Sequence, residues 1–525
     1  MRYTVPRGRL ASVFVAAVLT GCATAPADRG LSEVQGLLKA RDPTLASAQT
    51  ALSADPESID TQMATLMAAP LTADRALSVA LLKSPRLRVI YAQLGLAQAD
   101  WLDASRLSNP VLSFSALESS ASGERTRLGY GLVQNFTDLL FLRSRSRIAA
   151  HGRDQVEADA AAAIQDLAAE VLSRYYEAVG AAQTAQMRRV IAHAATASAD
   201  LAQRFKDAGN INALELAREK AAAHRAVLEQ ESAEAEASSA ALALNEAMGL
   251  SPPLVWTLDT RLPLPIEETL SADALVTTAL KQRLDLIAKQ REIDAIEGAL
   301  GLARTLRWIP FVEVGIEGER EGDGSRLLGP TVAIEIPLFG KSQSEVLRMQ
   351  ARREQAIAEA EAIRAEVANG VATALTRMQA AQARVQRFRE GLIPQSEAVV
   401  ARMQELQNYM IVGQFELLVA KQEEYEAYAG YLDTLRDYWL ARVALQHAVG
   451  AALPANGQDG SARIGAIRLP DAAAGGGHSM HTGMHHGASH QSTGDAHAQR
   501  DMHPPAKSSS EPTAPPRETD AHAHH

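Results

Sequence analysis

Cysteine and aromatic residues are scarce in this sequence of 525 residues. The single cysteine, Cys22, excludes a framework of disulfides within the chain. Aromatic residues make up only 4% of the chain although hydrophobic residues make up 46%, among which alanine is prominent. Large globular cores usually take much of their buried area from aromatic rings, so this composition predicts closely packed helices instead.

Long apolar runs, a positive net charge and catalytic motifs are also missing. Beyond the extreme N-terminus, no apolar run reaches the ~18 residues that a membrane-spanning helix needs. A net charge of -10 argues against a general nucleic-acid binder, which would carry a basic surface. No GxGxxG, P-loop, HExxH or nucleophile-elbow pattern occurs, so the sequence predicts neither an enzyme nor a required cofactor.

The N-terminus has the layout of a targeting segment. Arginines precede a short apolar stretch, LASVFVAAVLT, and the segment ends in LTGC at Cys22. This ending resembles a bacterial lipobox, in which cleavage precedes the cysteine and the thiol takes a lipid such as palmitate. The alternative is an ordinary signal peptide with an incidental cysteine. The resemblance implies that residues 1–21 are removed and Cys22 is lipidated, and Ala23 in place of aspartate favours the outer membrane.

The remainder of the chain repeats itself at a spacing of about 200 residues. Two pairs of segments carry the alignment, 108–136 with 308–336 and 205–220 with 409–424. The agreement recurs in the same order along both halves, so the chain is a tandem duplication. We therefore divide it into an N-terminal anchor segment, a first repeat, a second repeat and a tail: 22–71, 72–250, 251–452 and 453–525.

Each repeat contains a predicted pair of strands. Residues 109–118 and 309–319 alternate apolar and polar side chains, and the segment after the second of them does the same. The polar stretches ESSASGERT and GEREGDGSR read as hairpin loops. A soluble hairpin packed on a core would show the same alternation. Because closed membrane barrels begin at about eight strands, four strands that span a membrane must share a barrel with other copies of the chain.

The alternation assigns side chains to two faces. In the second repeat one face is predicted to carry Val312, Val314, Ile316, Val332, Ile334, Ile336 and Leu338. The other face is predicted to carry Glu313, Gly315, Glu317, Thr331, Ala333 and Glu335.

Long helices are predicted after each pair of strands. Residues 144–205 contain no proline, and residues 341–409 contain one, Pro394, at which a kink or break is expected. Gly209 and Gly413 then provide turns, and a second long helix follows each of them, over 211–248 and 414–450.

The helix over 211–248 has apolar residues at coiled-coil spacing. This predicted packing seam consists of Leu214, Ala217, Ala221, His224 and Leu228. We interpret His224 as a packed seam residue rather than as a metal ligand.

With this doubled layout, residues 72–450 resemble the TolC-type outer membrane factor family. The resemblance is carried by LTGC, by the paired strand entries SNPVLSF and WIPFVEV, by IPLFGKSQSEV and by GNINALELA. It implies a mainly α fold with a membrane β-barrel: a homotrimer with four strands per chain, a twelve-stranded barrel and a periplasmic α-barrel of coiled-coil helices. It also implies a passive exit duct in the outer membrane of a Gram-negative bacterium. Such a duct works with a periplasmic adaptor and an inner-membrane transporter.

The family commonly carries acidic residues at its periplasmic aperture, six and nine places after the tip glycine. Glu215 stands six places after Gly209, but Val419 and Gln422 stand at these places after Gly413. Among the nearby acids, Glu416 is the candidate replacement, with Glu423 and Glu424 close behind it. An exposed helical face would explain these acids equally well.

The tail is rich in histidine and methionine. Gly, Ala, Ser and Pro without apolar periodicity predict disorder after residue 453. Thioether sulfur favours Cu(I), whereas imidazole alone serves zinc, nickel or Cu(II), so the mixture favours copper or silver. Compositional drift without metal binding is the alternative. The candidate ligands are His478, Met480, His481, Met484, His485, His486, His490, His497, Met502, His503, His522, His524 and His525.

These features predict the outer membrane channel of a heavy-metal efflux system, with the tail binding periplasmic copper. Three other functions stay open from the residues. The duct would serve drugs or other small organic molecules, or the chain would be a lipid-anchored periplasmic adaptor, or it would be a metal-binding protein. The duplicated strand pairs argue against the last two.

Overall fold

The computed structural model describes residues 28–47, 56–118, 126–253, 256–266, 268–306, 311–335 and 341–453. The predicted signal peptide, Cys22 and the His/Met-rich tail lie outside these residues, as do Ile336 and Leu338. Among the described residues, no helix combines the length and the apolar character needed to cross a membrane.

The same order of elements occurs twice along the chain. After α1 (Leu31–Lys39), a 3-10 turn (Pro43–Ser47) and α2 (Pro56–Met67), the first series is α3 (Ala73–Lys83), α4 (Pro85–Ala104), β1 (Val111–Leu117), β2 (Arg127–Asn135), α5 (Phe136–Asp207) and α6 (Ala213–Ala247). The second series is α7 (Ala272–Gln282), α8 (Leu284–Leu306), β3 (Val312–Arg320), β4 (Arg326–Ile334), α9 (Lys341–Arg387), α10 (Ile393–Asn408) and α11 (Gln414–Val449). The mainly helical, tandem-duplicated fold is therefore confirmed.

Helix α5 runs through 72 residues, which corresponds to about 108 Å of continuous helix. It begins at Phe136, directly after β2, and so starts earlier than the predicted residue 144. The start is set by Asn135, whose side-chain oxygen accepts a hydrogen bond from the Asp138 backbone N–H at 3.1 Å. The long helix therefore continues the strand without an intervening loop.

The second long helix is interrupted where Pro394 predicts it. Helix α9 ends at Arg387, a π-helical turn covers Phe388–Leu392, and α10 resumes at Ile393. Proline has no backbone N–H, and its ring crowds the carbonyl four residues earlier. A π-helical turn accommodates this crowding.

The four strands form one antiparallel sheet in the order β1-β2-β3-β4. The pairing of β2 with β3, in which Leu132 lies opposite Ile316, joins the two repeats. This register collects most of the apolar side chains of the four strands on one side, which we call the apolar sheet face. It consists of Leu112, Phe114, Leu128, Tyr130, Leu132, Val312, Val314, Ile316, Leu328, Pro330, Val332 and Ile334.

The opposite side of the sheet is made mainly of small and polar residues, as the alternation predicts. Glycines at positions 129, 131, 315 and 329 lie there with Glu313, Glu317 and Thr331. One predicted loop is shorter than expected, since β3 continues to Arg320 and β4 begins at Arg326. Part of GEREGDGSR therefore belongs to the strands, because the backbone ladder extends beyond the last apolar residue of β3.

The core lies where α5, α9 and α11 pack with the short helices α3 and α7. Buried alanines line α5, which lets neighbouring helices approach closely, as the composition predicts. A small aromatic group stands out within it: the Tyr176 and Trp439 rings stack with centroids 5.2 Å apart, and Tyr438 meets Trp439 edge-on at 5.4 Å. These three rings thus pack where the two repeats meet.

The segment between the repeats is held against α11 by hydrogen bonds. Trp439 Nε1 donates to the Pro263 carbonyl at 2.8 Å, and the Ile266 N–H donates to the Tyr438 hydroxyl at 3.0 Å. Arg442 forms a buried ion pair with Glu268 on the same segment.

The N-terminal segment is also packed rather than a loose tether. The Gln446 side chain on α11 donates to the Asp42 carboxylate at 2.9 Å, and the Ala452 N–H donates to the Arg41 carbonyl at 2.8 Å. Buried residues on α1 join the contact with α5.

A buried carboxyl lies where α1 meets α5. The Glu157 side chain on α5 is only 8% exposed and lies beside Gly30 at the start of α1. Burial raises the pKa of Glu157 to about 7, the Arg153 guanidinium opposes this, and the charges of Asp154, Glu33 and Asp28 add to it. The folded protein therefore holds this carboxyl in its neutral form more readily than the unfolded chain does.

We expect stability to fall as the pH rises through this range. A folded-state pKa above the unfolded value means that ionisation disfavours folding, so the loss begins near the unfolded pKa and levels off above pH ~7. Glu157→Gln removes this loss and makes the protein more stable at pH 8 by up to about 3 kcal/mol. Unfolding monitored by circular dichroism between pH 5 and 8 measures it, with Glu231→Gln on the exposed side of α6, which is not among the charges that shift Glu157, as the control. Parallel pH profiles for wild type and Glu157→Gln would contradict it.

Candidate functional site

The exposed apolar sheet face and the sheet edges are the first candidate site. Leu112 and Phe114 on β1 are 78% and 72% exposed, and Leu328 on β4 is 70% exposed. Among the described residues, no strand pairs with the outer edge of β1 or of β4. Unpaired strand edges and a broad exposed apolar surface are both unfavourable in water, so the sheet is suited to association.

The second candidate site is formed by the ends of the helical hairpins. Helices α5 and α6 meet at one turn, and helices α10 and α11 meet at another. The two turns are neighbours, because the rings of Phe205 and Phe415 contact each other edge-on with centroids 5.9 Å apart. The duplicated hairpins therefore end side by side.

The two turns have the same backbone geometry but not the same residues. Gly209 has φ +78°, its N–H donates to Lys206, and the next N–H donates to Phe205. Met410 has φ +58°, its N–H donates to Gln407, and the next N–H donates to Leu406. Met410 is thus the structural equivalent of Gly209.

The sequence alignment of Gly209 with Gly413 was therefore wrong by three residues. Gly413 has φ -77° and caps the start of α11, as Asn212 caps the start of α6. The alignment paired two glycines because they are glycines, whereas the backbone places methionine at the left-handed position.

This correction brings the two candidate aperture acids together. Glu215 and Glu416 each occupy the third position of their helix, and both are exposed. The Glu215 carboxylate accepts a hydrogen bond from the Asn212 N–H at 3.2 Å, and the Glu416 carboxylate accepts one from the Gly413 N–H at 3.1 Å. Both repeats therefore keep an acid at the same place, and each acid stabilises its helix start.

The remaining acidic candidates differ from each other. Glu424 is buried and forms an ion pair with Lys421, so it does not line an exposed surface. Glu423 is exposed, as expected for an outer helical face. In the corrected alignment the position of Val419 corresponds to Arg218, so the second acidic position is missing in both repeats.

The predicted seam on α6 does not pack within the chain. His224 is exposed, and Leu214 and Leu228 are 60% and 65% exposed. Helix α6 instead contacts α5 through a neighbouring stripe that includes Ala223 and Ala226. Heptad spacing identifies a stripe suited to packing, but it does not identify the helix that covers it.

A further exposed stripe was missed from the sequence. The sequence predicted a helix only from residue 144, so the run of Phe136, Leu140, Arg143 and Arg147 on one side of α5 went unrecognised. Its spacing of four, three and four residues was the available signal.

The described residues contain no group of three or more His, Cys, Asp or Glu side chains arranged to hold a metal ion. The predicted metal ligands all belong to the tail beyond residue 453, so no structural statement applies to them.

We expect the turn residues to respond oppositely to substitution. Gly209→Ala destabilises its turn by about 1 kcal/mol, because a side chain disfavours positive φ, and Met410→Gly relieves a similar cost. Hydrogen-deuterium exchange at residues 200–220 and 400–420 measures both effects. Gly413→Ala is the control, since its φ of -77° suits alanine and a Cβ there meets open space. Equal changes at positions 209 and 413 would contradict the assignment.

A family model matches part of the second repeat, and two relatives match longer parts of the chain. Residues 275–451 match the model of the family described as "Outer membrane efflux protein". The cobalt-zinc-cadmium resistance protein CzcC of Cupriavidus metallidurans is 23% identical over 392 residues, which cover 73% of this chain and 91% of CzcC. The protein CyaE of Bordetella pertussis is 28% identical over 323 residues, which cover 57% of this chain and 67% of CyaE.

Solved structures share the fold at low identity. VceC from Vibrio cholerae has a TM-score of 0.60 at 18% identity, over 72% of this chain and 96% of its own. CusC has a TM-score of 0.60 at 17% identity, over 72% and 92%. The open state of the MtrE channel of Neisseria gonorrhoeae has a TM-score of 0.59 at 17% identity, over 74% and 91%. Residues 275–451 are thus similar to the outer membrane efflux protein family, and the chain shares the fold of these solved structures over 72–74% of its length.

Proposed function

We propose that this protein is the outer membrane channel of a tripartite efflux system and that it exports heavy-metal ions. The observation that carries the proposal is the four-stranded sheet, which has one exposed apolar face and two outer edges that no other described strand pairs with. In a bilayer every backbone N–H and C=O must find a partner, so an open sheet is not a viable spanning structure. Additional copies of the chain supply the missing partners.

The strand directions permit this association. Strands β1 and β4 run antiparallel to each other across the sheet, so β4 of one copy pairs in the antiparallel sense with β1 of the next. Three copies give the twelve strands that the family resemblance implies, above the smallest membrane barrels of about eight. The apolar sheet face then meets lipid.

The other face of the sheet would line the channel. Its glycines and its carboxylates on β3, Glu313 and Glu317, give a polar wall. Because α5 follows β2 directly, the helices carry this duct away from the membrane. The exposed seam of α6, with Leu214 and Leu228, is suited to pack against a helix of the neighbouring copy.

We expect the purified protein to be a trimer. Native mass spectrometry in detergent should give about three times the 56.1 kDa of the chain, less the cleaved signal peptide. Ser115→Pro removes a backbone donor from edge strand β1 and should weaken the trimer, since proline is poorly tolerated within paired strands. The control is Ser113→Thr, which also lies on β1 but keeps its backbone donor. A proline in a helix, such as Ser232→Pro, is unsuitable as a control because it would break that helix. A stable monomer for wild type would contradict the shared barrel.

The cargo assignment rests on two supports. The relative CzcC is named as a cobalt-zinc-cadmium resistance protein. The tail combines imidazoles with the thioethers of Met480, Met484 and Met502. Imidazole binds zinc and related divalent ions, whereas the added thioethers favour Cu(I) and silver. We therefore propose metal binding by the tail, with copper or silver preferred.

Lipid attachment at Cys22 and docking of a periplasmic adaptor complete the proposal. A lipid on Cys22 would anchor the N-terminal segment to the membrane that holds the sheet, and α1 packs this segment onto α5. The adjacent hairpin ends around Gly209 and Met410 would face the adaptor, which links the duct to an inner-membrane transporter.

We expect the tail to be needed for metal tolerance. Deletion of residues 471–525 should lower tolerance to copper and silver, while replacement of Met480, Met484 and Met502 by leucine should abolish Cu(I) binding and spare zinc binding. Growth on graded metal concentrations and calorimetric titration of the protein measure these effects. The control replaces the tail by a Gly/Ser segment of the same length.

The pattern of tolerance identifies the cargo. Loss of cobalt, zinc and cadmium tolerance alone would overturn the copper preference and keep metal export. Unchanged tolerance to every metal, with lost tolerance to organic compounds, would overturn metal export and leave a channel for small organic molecules.

A further inference from the structure

The first turns of α5 carry an exposed stripe whose chemistry changes along its length. Phe136, Leu139 and Leu140 come first and are 46%, 52% and 52% exposed. Arg143 and Arg147 follow on the same side and are also exposed. We call these five residues the α5 stripe. An apolar start that passes into arginines is typical of a helix that leaves a membrane.

The orientation of the stripe is set by the opposite side of the helix. Thr137 and Phe141 are buried there, and the Thr137 hydroxyl accepts a hydrogen bond from the Val312 N–H at the start of β3, at 2.7 Å. This contact between α5 and the sheet prevents the helix from rotating. The α5 stripe therefore stays turned away from the body of the chain.

The two arginines lack the ion pairs that occupy their neighbours. Arg145, on another side of the same turns, bonds the Asp138 carboxylate at 2.8 Å. Arg153, two turns further, lies 3.0 Å from Asp154. Among the described residues, no carboxylate pairs with Arg143 or Arg147. Their charge is thus available to a partner from outside the chain.

The position of the arginines matches the edge of a bilayer. Arg143 and Arg147 lie about 12 and 18 Å along α5 from the end of β2. Side chains on a helix tilt toward its N-terminus, which here is the end nearest the sheet, so both guanidinium groups reach back toward the membrane. The apolar residues of the α5 stripe lie along the helix between the end of β2 and these arginines.

We propose that Arg143 and Arg147 form a binding site for the phosphate groups of anionic phospholipids at the periplasmic face of the membrane. The site rests on the proposed function, because it requires the sheet to span that membrane. A guanidinium group presents a planar set of donors that matches a phosphate, and two of them one helical turn apart reach adjacent headgroups. With several copies around a barrel, the site becomes a basic collar.

The test compares lipid binding by three forms of the full-length protein in nanodiscs. These are wild type, Arg143→Gln/Arg147→Gln, and the control Arg377→Gln/Arg384→Gln. The control removes from α9, far from the strands, two exposed arginines that form no ion pair with any of the described residues. Native mass spectrometry counts the phosphatidylglycerol that stays bound in mixed phosphatidylglycerol and phosphatidylcholine discs.

We expect phosphatidylglycerol affinity to fall about fivefold for each arginine removed from the α5 stripe, and about 25-fold for the pair. The control should match wild type, and Arg143→Lys/Arg147→Lys should keep most of the binding, which separates charge loss from misfolding. Inorganic phosphate added to discs of phosphatidylcholine alone should bind weakly, which assigns the site to lipid.

Four outcomes would overturn the inference. They are equal lipid retention by wild type and the stripe variant, an equal loss in the control, binding of inorganic phosphate as tight as that of lipid, and loss of the trimer in the stripe variant. The last would assign the α5 stripe to a contact between copies. If the wild-type protein enters no disc, the proposed membrane channel is overturned, and the lipid site with it. This outcome is distinguishable from failure of the site alone, in which wild type enters the discs.

Discussion

The pairing of β2 with β3 is the interaction on which the rest of the structure depends. It is the only ladder among the described strands that joins the two repeats, and its register places Leu132 opposite Ile316. A slip of one residue would turn the apolar side chains of one repeat to the face that carries the glycines and carboxylates of the other. The register thus creates a single apolar sheet face. It also joins the long helices α5 and α9 in one helical body, because they follow strands of the same sheet.

The long helices depend on close packing, because they extend far from the sheet. Alanine lets α5, α9 and α11 approach closely, and a group of three aromatic rings, Tyr176, Tyr438 and Trp439, packs where both repeats meet. At the far end the two hairpins finish in the same turn geometry even though glycine occupies the left-handed position once and methionine once. Backbone geometry was retained across the duplication where residue identity was not.

Charged side chains differ between the hairpin ends and the part of the helices near the sheet. Carboxylates at the hairpin ends, Glu215 and Glu416, bond to backbone N–H groups and remain exposed. Near the sheet, Arg143 and Arg147 continue an apolar stripe and have no carboxylate partner among the described residues. In the proposed channel, one end presents acids to the periplasm and the other presents arginines to the membrane, which suits cationic cargo at one end and anionic lipid at the other.

The sequence by itself determined the duplication, the strand alternation, the great length of the helices and the break near Pro394, because these depend on local periodicity and on the backbone chemistry of single residues. Tertiary structure decided the register of β2 against β3, the equivalence of Gly209 with Met410, the stripe through which α6 packs and the docking of α1 beside Glu157. Those features depend on partners distant in the chain. A spacing of four and three residues marks a surface suited to contact, as at His224 or Arg143, but only the fold decides whether protein covers it.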